Sequence, residues 1–412
     1  MNIVFVTREY LPSKRAGGIA TYVWETARLL AAEGHNIYVI SASDDIRLNE
    51  ESVDDNGVVS IRLSGGDFYI STNRFVNKLI TRFRSIFCFW AYRKKITKKL
   101  NALIDKKTID IIEFAEYGNE MAHWQKNNQY GTPWIVRLHG ATLLDRASGG
   151  TISSIVSPIR WCFGKLEVKS ALNATAISAP SLAQADWFRK YSHCDCKIVT
   201  IPNAIRFEDW SETLPSSDNS GKVKIFSAGS IVQGKGFGDL LVACEIIRRN
   251  GVDLTLTLAG KLGRLGEKMA KLSASKEYKD WLTLIGPIQR SQLRSYYASS
   301  DIVVFPSWWE PFGLVCVEAM AAGALVVGSS SGGMTEIIEN GVDGFLVPPK
   351  LPHVLADKIA DIISMSWSSK MQIRIAASAK VRTRYGLNSV LEKQIDLYTN
   401  AVKVAKGPEL CG

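Results

Sequence analysis

Glu310 and Glu318 stand eight residues apart in the run Glu310-Pro311-Phe312-Gly313-Leu314-Val315-Cys316-Val317-Glu318. Glu310 closes a loop after the apolar run Ile302 to Phe305, and Gly313 opens a helix that carries Glu318. A helix start presents unpaired backbone N–H groups and the positive end of the peptide dipoles, which suit phosphate. One carboxylate at the helix mouth and another about one and a half turns inside could hold sugar and ribose hydroxyls on either side of a diphosphate. Spacing alone would read as two solvated helix positions. The residues around the pair are what single it out.

Other residues could share that chemistry. Gly17-Gly18 follows the first apolar run and opens a helix from Thr21 to Glu33. Glycine lets backbone approach a ligand closely, and the helix start favours anions; a plain loop is the other reading. The loop is not G-x-G-x-x-G, so nothing here favours a nicotinamide or flavin. His139, in Val136-Arg137-Leu138-His139-Gly140, ends a strand that faces the expected cleft. A lone histidine is more often a satisfied core residue; its place at a strand end before glycine leaves a site open. Glu116 and Tyr117, after the strand Ile109–Phe114, could line the side of the cleft where an acceptor enters.

No two aspartates stand two residues apart, and Cys194-Asp195-Cys196 is the only close pair among seven scattered cysteines. Neither pattern makes a metal site, so no metal or other cofactor is expected. An odd, scattered cysteine set argues for a reducing compartment, hence the cytoplasm. The N-terminus lacks the basic start, apolar stretch and cleavage site of a signal peptide. No run of about 18 apolar residues suggests a membrane-spanning helix.

The elements that must position these residues alternate in type. Strand-like runs at 2–7, 36–41, 109–114, 134–138, 174–178 and 197–201 are separated by helix-length amphipathic segments. A second series at 224–228, 255–259, 282–285, 302–305 and 324–327 follows a polar stretch rich in serine. This is the pattern of parallel α/β sheets. With 412 residues, the chain is too long for one ordinary core. We expect a first domain over 1–208, a linker over 209–221, a second domain over 222–385, and a final helical segment, 386–412.

Pro306-Ser307-Trp308-Trp309-Glu310-Pro311-Phe312-Gly313, then Glu318-Ala319-Met320-Ala321-Ala322-Gly323, then Gly332-Gly333-Met334-Thr335-Glu336-Ile337-Ile338 resembles the signature run of retaining GT-B glycosyltransferases. Glycosyltransferase family 4, within the glycosyl transferases group 1, is the nearest likeness. The resemblance extends over nearly the whole chain and is dense from about Ile225 to Pro348. It implies two Rossmann-like domains whose parallel sheets face across a cleft, with the last helix crossing back to the first domain. It implies transfer of a sugar from a nucleotide sugar, UDP-linked before GDP-linked, to a hydroxyl on a glycan or lipid-linked acceptor, with retention and no metal. Gly17, Gly18, Lys235, Phe312, Gly313 and Leu314 are then expected at the donor diphosphate, and Ile288 on the nucleobase. Glu318 is expected on the ribose, and Glu310 and His139 beside the donor sugar. The run Gly229-Ser230-Ile231-Val232-Gln233-Gly234-Lys235-Gly236 departs from the likeness at Ser230, where arginine is usual. Serine offers one neutral hydrogen bond in place of a charged fork; Lys14, Arg15 or Arg206 could supply the missing cation. A nucleotide-sugar 2-epimerase, a phosphorylase and an inactive partner subunit stay open as alternatives.

From Arg74 to Lys107 eleven basic residues face one acid, Asp105, while the whole chain carries a net +10. Phe75, Leu79, Phe83, Phe87 and Trp90 recur at three- and four-residue spacing, the pattern of an amphipathic helix. Such a helix could lie on anionic lipid at the inner face of a membrane; its other reading is a solvated basic face. The stretch contains none of the familiar nucleic-acid-binding modules.

Overall fold

The computed structural model describes residues 1–13, 17–45, 48–66, 78–140, 157–211 and 221–406. In the first domain the elements run β1 (Asn2–Val6), α1 (Gly18–Ala32), β2 (Asn36–Ala42), β3 (Glu50–Val53), β4 (Val59–Leu63) and α2 (Lys78–Lys106). They continue with β5 (Ile111–Ala115), α3 (Met121–Asn127), β6 (Trp134–Arg137), α4 (Ser157–Ala171), β7 (Ala176–Ala179), α5 (Leu182–Ser192) and β8 (Ile198–Thr200). The second domain runs β9 (Val223–Ala228), α6 (Phe237–Arg249), β10 (Leu254–Ala259), α7 (Arg264–Ser273), β11 (Leu282–Gly286) and α8 (Arg290–Ser299). It continues with β12 (Ile302–Phe305), α9 (Leu314–Ala321), β13 (Val326–Ser329), α10 (Met334–Ile337), β14 (Phe345–Val347), α11 (Pro352–Ser364) and α12 (Trp367–Arg384). The last helix is α13 (Leu387–Lys406).

The first sheet has the order β3-β4-β2-β1-β5-β6-β7-β8, and the second β11-β10-β9-β12-β13-β14. Every pairing is parallel except β3 with β4. Apolar runs such as Ile3-Val4-Phe5-Val6 are buried throughout, as strands covered by helices on both faces must be. Val23, Ala27 and Leu30 of α1 recur at helical spacing, and that face is buried against the sheet. In each sheet the chain builds outward on one side of the first strand and then returns to its other side. The switch lies between β1 and β5 in the first sheet and between β9 and β12 in the second.

Three strands escape the sequence pattern. Glu50–Val53 is fully exposed and polar, so it shows no alternation. Val59–Leu63 lies beyond its tight turn, and Phe345–Val347 has only three residues. The expected boundary also shifts. Ile205, Phe207 and Trp210 are buried in the second domain's core beside Phe226 and Tyr297, so the chain joins that core before 209. Most of the expected linker, 212–220, lies outside the described residues, as do Lys14, Arg15, Arg74 and Phe75.

Helix α13 returns to the first domain. Val390, Leu391, Leu397, Tyr398 and Ala401 are buried with Ile3, Phe5 and Val23. Tyr398 and Gln394 donate to the Glu113 carboxylate of β5 at 2.7 and 3.0 Å. Among the described residues no helix is long and apolar enough to cross a membrane.

Candidate functional site

The loops leaving the C-terminal ends of β1, β6, β7, β8, β9 and β12 line one cavity of about 310 Å3. Switch points of open parallel sheets are where ligands settle, and the volume fits a small-molecule site. Gly18 and Ile19 come from the first loop, His139 and Gly140 from the β6 end, and Pro180 and Asn203 from beyond β7 and β8. The second domain supplies Val232, Gly234 and Lys235 after β9, and the continuous run Trp309 to Leu314 after β12.

Lys235 ends a short 3-10 turn, Gln233–Lys235. Its Nζ donates to Glu310 Oε2 at 2.5 Å. The two residues are 75 apart in sequence, and only the adjacency of β9 and β12 brings them together. Glu310 is held from behind by the Gly332-Gly333 turn. Gly333 N–H donates to the Glu310 carbonyl at 2.8 Å. Gly332 has φ +63, and a Cβ there would lie 2.1 Å from that carbonyl oxygen, so no other residue lets the two backbones approach so closely. Gly313 caps α9, and Leu314 begins it at the cavity. The Phe312 ring is buried in the core, 5.8 Å from that of Tyr385.

His139 is half-buried at the cavity, its ring centroid 5.0 Å from that of Tyr22. Its Nε2 has no hydrogen-bond partner among the described residues. Burial, and then Arg137, hold its pKa well below the ordinary value, so the imidazole is neutral at pH 7. The His139 and Gly140 N–H groups both donate to the Glu116 carboxylate, at 2.6–2.7 Å. Tyr117 N–H adds a third donor at 3.2 Å. Glu116 is only 1% exposed. Burial pushes its carboxyl up to about 8 against the pull of the backbone donors, and Glu167 raises it further.

These contacts correct the expectation that Glu116 lines an acceptor face. It lies behind the His139 loop and braces it. The Tyr117 ring is half-buried, with the Arg8 guanidinium 5.7 Å from its centroid. Beneath His139 lies a second buried polar group. Glu113 accepts from Tyr22 at 2.9 Å, and Arg137 donates to the Ile201 carbonyl and Asn203 Oδ1 at 2.6 and 2.8 Å. Asn203 thereby reaches the cavity on a fixed arm.

The structure thus brings Gly18, His139, Lys235, Glu310, Phe312, Gly313 and Leu314 to one cavity. Gly17, the N-cap of α1, is next to it. Ser230, Ile288 and Glu318 do not line it. Ser230 is exposed. Ile288 packs part-buried on the second core. Glu318 is 6% exposed, and burial pushes its carboxyl up to about 8, with Arg290 pulling it down. Arg206 is exposed, 3.8 Å from Asp209, and outside the cavity lining.

Sequence reasoning passed over Asn203 and Trp309, which line the cavity, and Arg290, whose Nη1 meets Glu25 Oε1 of the first domain at 2.5 Å. Asn203 lies three residues beyond the end of β8, the one local signal it carries. Among the described residues no three His, Cys, Asp or Glu side chains gather as a metal site. A cation beside a carboxylate, a helix start, a neutral imidazole and close glycine backbone can bind a phosphorylated, hydroxyl-rich ligand.

Comparison with known proteins agrees with this chemistry. The sequence matches the model described as glycosyltransferase family 4 over residues 16–209, and that described as glycosyl transferases group 1 over 211–382. An uncharacterized glycosyltransferase of Methanocaldococcus jannaschii is 24% identical over 98% of this chain and 99% of its own length. Sucrose-phosphate synthase from Thermosynechococcus elongatus superposes with a TM-score of 0.77 at 20% identity, covering 97% of this chain and 98% of the other. Anabaena HepE, solved in complex with UDP and glucose, superposes with a TM-score of 0.70 at 16% identity, covering 97% and 100%.

Proposed function

This chain belongs to the group 1 glycosyltransferases of GT-B fold, and on that premise we propose that it transfers a sugar from a UDP-sugar, with a GDP-sugar next in line, to a hydroxyl acceptor with retention of configuration. The observation that carries the reading is the Lys235–Glu310 pair at the cavity, beside the start of α9. In the ligand-free chain the two charges satisfy each other. When the donor enters, Lys235 turns to the diphosphate and Glu310 to the sugar hydroxyls. Gly18 and the α9 start add N–H groups toward the same phosphates. Glu318, buried beside the Arg290–Glu25 pair and outside the ligand-free cavity, takes the ribose once that pair is redistributed, and neutral His139 offers the sugar ring a hydrogen bond without repelling Lys235.

The bond from the anomeric carbon to the leaving phosphate oxygen breaks, and the bond to the acceptor oxygen forms on the same face. The acceptor proton passes to the leaving diphosphate. No side chain acts as nucleophile, and no metal is required: Lys235 and the helix start stabilise the departing charge. UDP in the HepE structure supports the choice of base.

A second part of the reading concerns place. Trp90 of α2 is 50% exposed, with Lys94 Nζ 5.5 Å from its ring centroid. An exposed indole among lysines suits an anionic membrane surface at the cytoplasmic face, where a lipid-linked intermediate of surface-polysaccharide assembly would be the acceptor. Co-sedimentation with anionic liposomes at low salt tests this; protein left in the supernatant ends it.

Thermal unfolding against uridine, guanosine, adenosine and thymidine diphosphates and their common sugars tests the donor. We expect stabilisation by UDP and UDP-sugars. No shift with any nucleotide at millimolar concentration overturns the reading.

A further inference from the structure

Glu336, on α10, turns its carboxylate out of its own domain. Its Oε2 accepts from Leu182 N–H and its Oε1 from Ala183 N–H, both at 2.9 Å. These are the first two amides of α5, a helix of the first domain. The α5 cap, Ser181, accepts from Gln184 N–H at 3.0 Å and donates its hydroxyl across the cleft to the Pro311 carbonyl at 2.5 Å. The free donors and positive end of α5 are thus met by an anion from the second domain.

The same short segment holds Glu310. Gly333 N–H grips the Glu310 carbonyl, and Glu336 follows three residues later. Glu310 is therefore fixed at three points: its carbonyl by Gly333, the next carbonyl by Ser181 of the other domain, and its carboxylate by Lys235. An ion pair between the domains, Glu25–Arg290, lies toward Glu318.

We propose that Glu336 is a positioning residue, a charge-assisted latch that closes the first domain onto the second and thereby sets where Glu310 stands. The consequence for transfer rests on the role given to Glu310 above; the latch itself does not. When Glu336 leaves α5, the Ser181 hydroxyl leaves Pro311, and the Glu310 loop loses a support that comes from the other domain.

Amide hydrogen exchange on the ligand-free chain tests this, because it needs no donor. In Glu336→Gln, where the amide can accept at one oxygen only, we expect peptides spanning 182–184 and 311–317 to exchange about tenfold faster or more, the loss of one charge-assisted bond. Ser181→Ala, which leaves the second domain intact, should accelerate 311–317 as well, and carries the test if Glu336→Gln does not fold. Glu25→Gln should leave 311–317 unchanged. In a transfer assay Glu336→Gln should lower kcat and leave the donor KM within about twofold. Unchanged exchange at 182–184 in Glu336→Gln overturns the latch. Unchanged exchange at 311–317 in both variants overturns its link to Glu310. A chain that binds no nucleotide yet shows both accelerations keeps the latch and loses only the donor reading.

Discussion

Glu116 and Glu318 sit in opposite domains, both buried, both with carboxyls pushed up to about 8, yet their surroundings differ. Glu116 is ringed by backbone donors from His139, Gly140 and Tyr117. Glu318 has a cation for a neighbour, Arg290, and that cation is already paired with Glu25 across the domain boundary. The first carboxylate is spent on shaping its own wall. The second stands in a charge arrangement that links both domains and would be redistributed when a ligand arrives. Equal burial and an equal shift do not imply an equal role; what each carboxylate touches decides it.

The comparison is broken most directly at the cavity between them. Lys235→Ala removes the one cation that lines it among the described residues. Transition-state stabilisation should fall by about 2 kcal/mol or more, roughly thirtyfold in kcat/KM. Unchanged turnover would remove Lys235 from the site, and with it the argument that the second domain holds the charge-handling half. Next in size is Glu116→Gln above pH 8, where an NH2 group replaces a carboxylate oxygen that accepts from backbone donors. A buried donor left unsatisfied costs about 1–3 kcal/mol, so chemical denaturation should show a loss in that range, with nucleotide binding retained. A loss of binding without loss of stability would return Glu116 to the ligand.

That difference also explains what could be read from sequence. Glu310, Gly313 and Leu314 lie within one strand–loop–helix unit, so spacing along the chain is nearly spacing in space, and that they share one cavity was legible. Lys235 was legible because a glycine-rich loop after a strand announces itself. The alternation of runs likewise announced two parallel sheets. Glu116 was legible as a strand-end residue but not as a brace: the register of β5 on β6 places it behind His139, and register is a tertiary fact. Glu336 and Ser181 are 155 residues apart and act across the cleft. Their only local signals were a glycine pair and a helix cap, which serve structure everywhere. The short edge strand Glu50–Val53 was invisible because exposed polar residues carry no period.

The finest test separates the two carboxylates by pH. Each is held protonated in the folded chain up to about 8, against 4.5 ordinarily. Between these values the native state binds protons that the unfolded chain has released, so stability falls as pH rises through the window and is level outside it. Each group contributes at most about 1.4 kcal/mol per pH unit. Glu318→Gln should therefore leave stability near pH 5 almost unchanged and flatten part of the decline toward pH 8, measured by denaturant titration at several pH values. Glu116→Gln should flatten the remainder. If Glu318→Gln leaves the slope as it was, Arg290 keeps Glu318 ionised in the folded chain. The two glutamates would then differ in charge as well as in contacts, and Glu318 would meet ribose hydroxyls as a full acceptor.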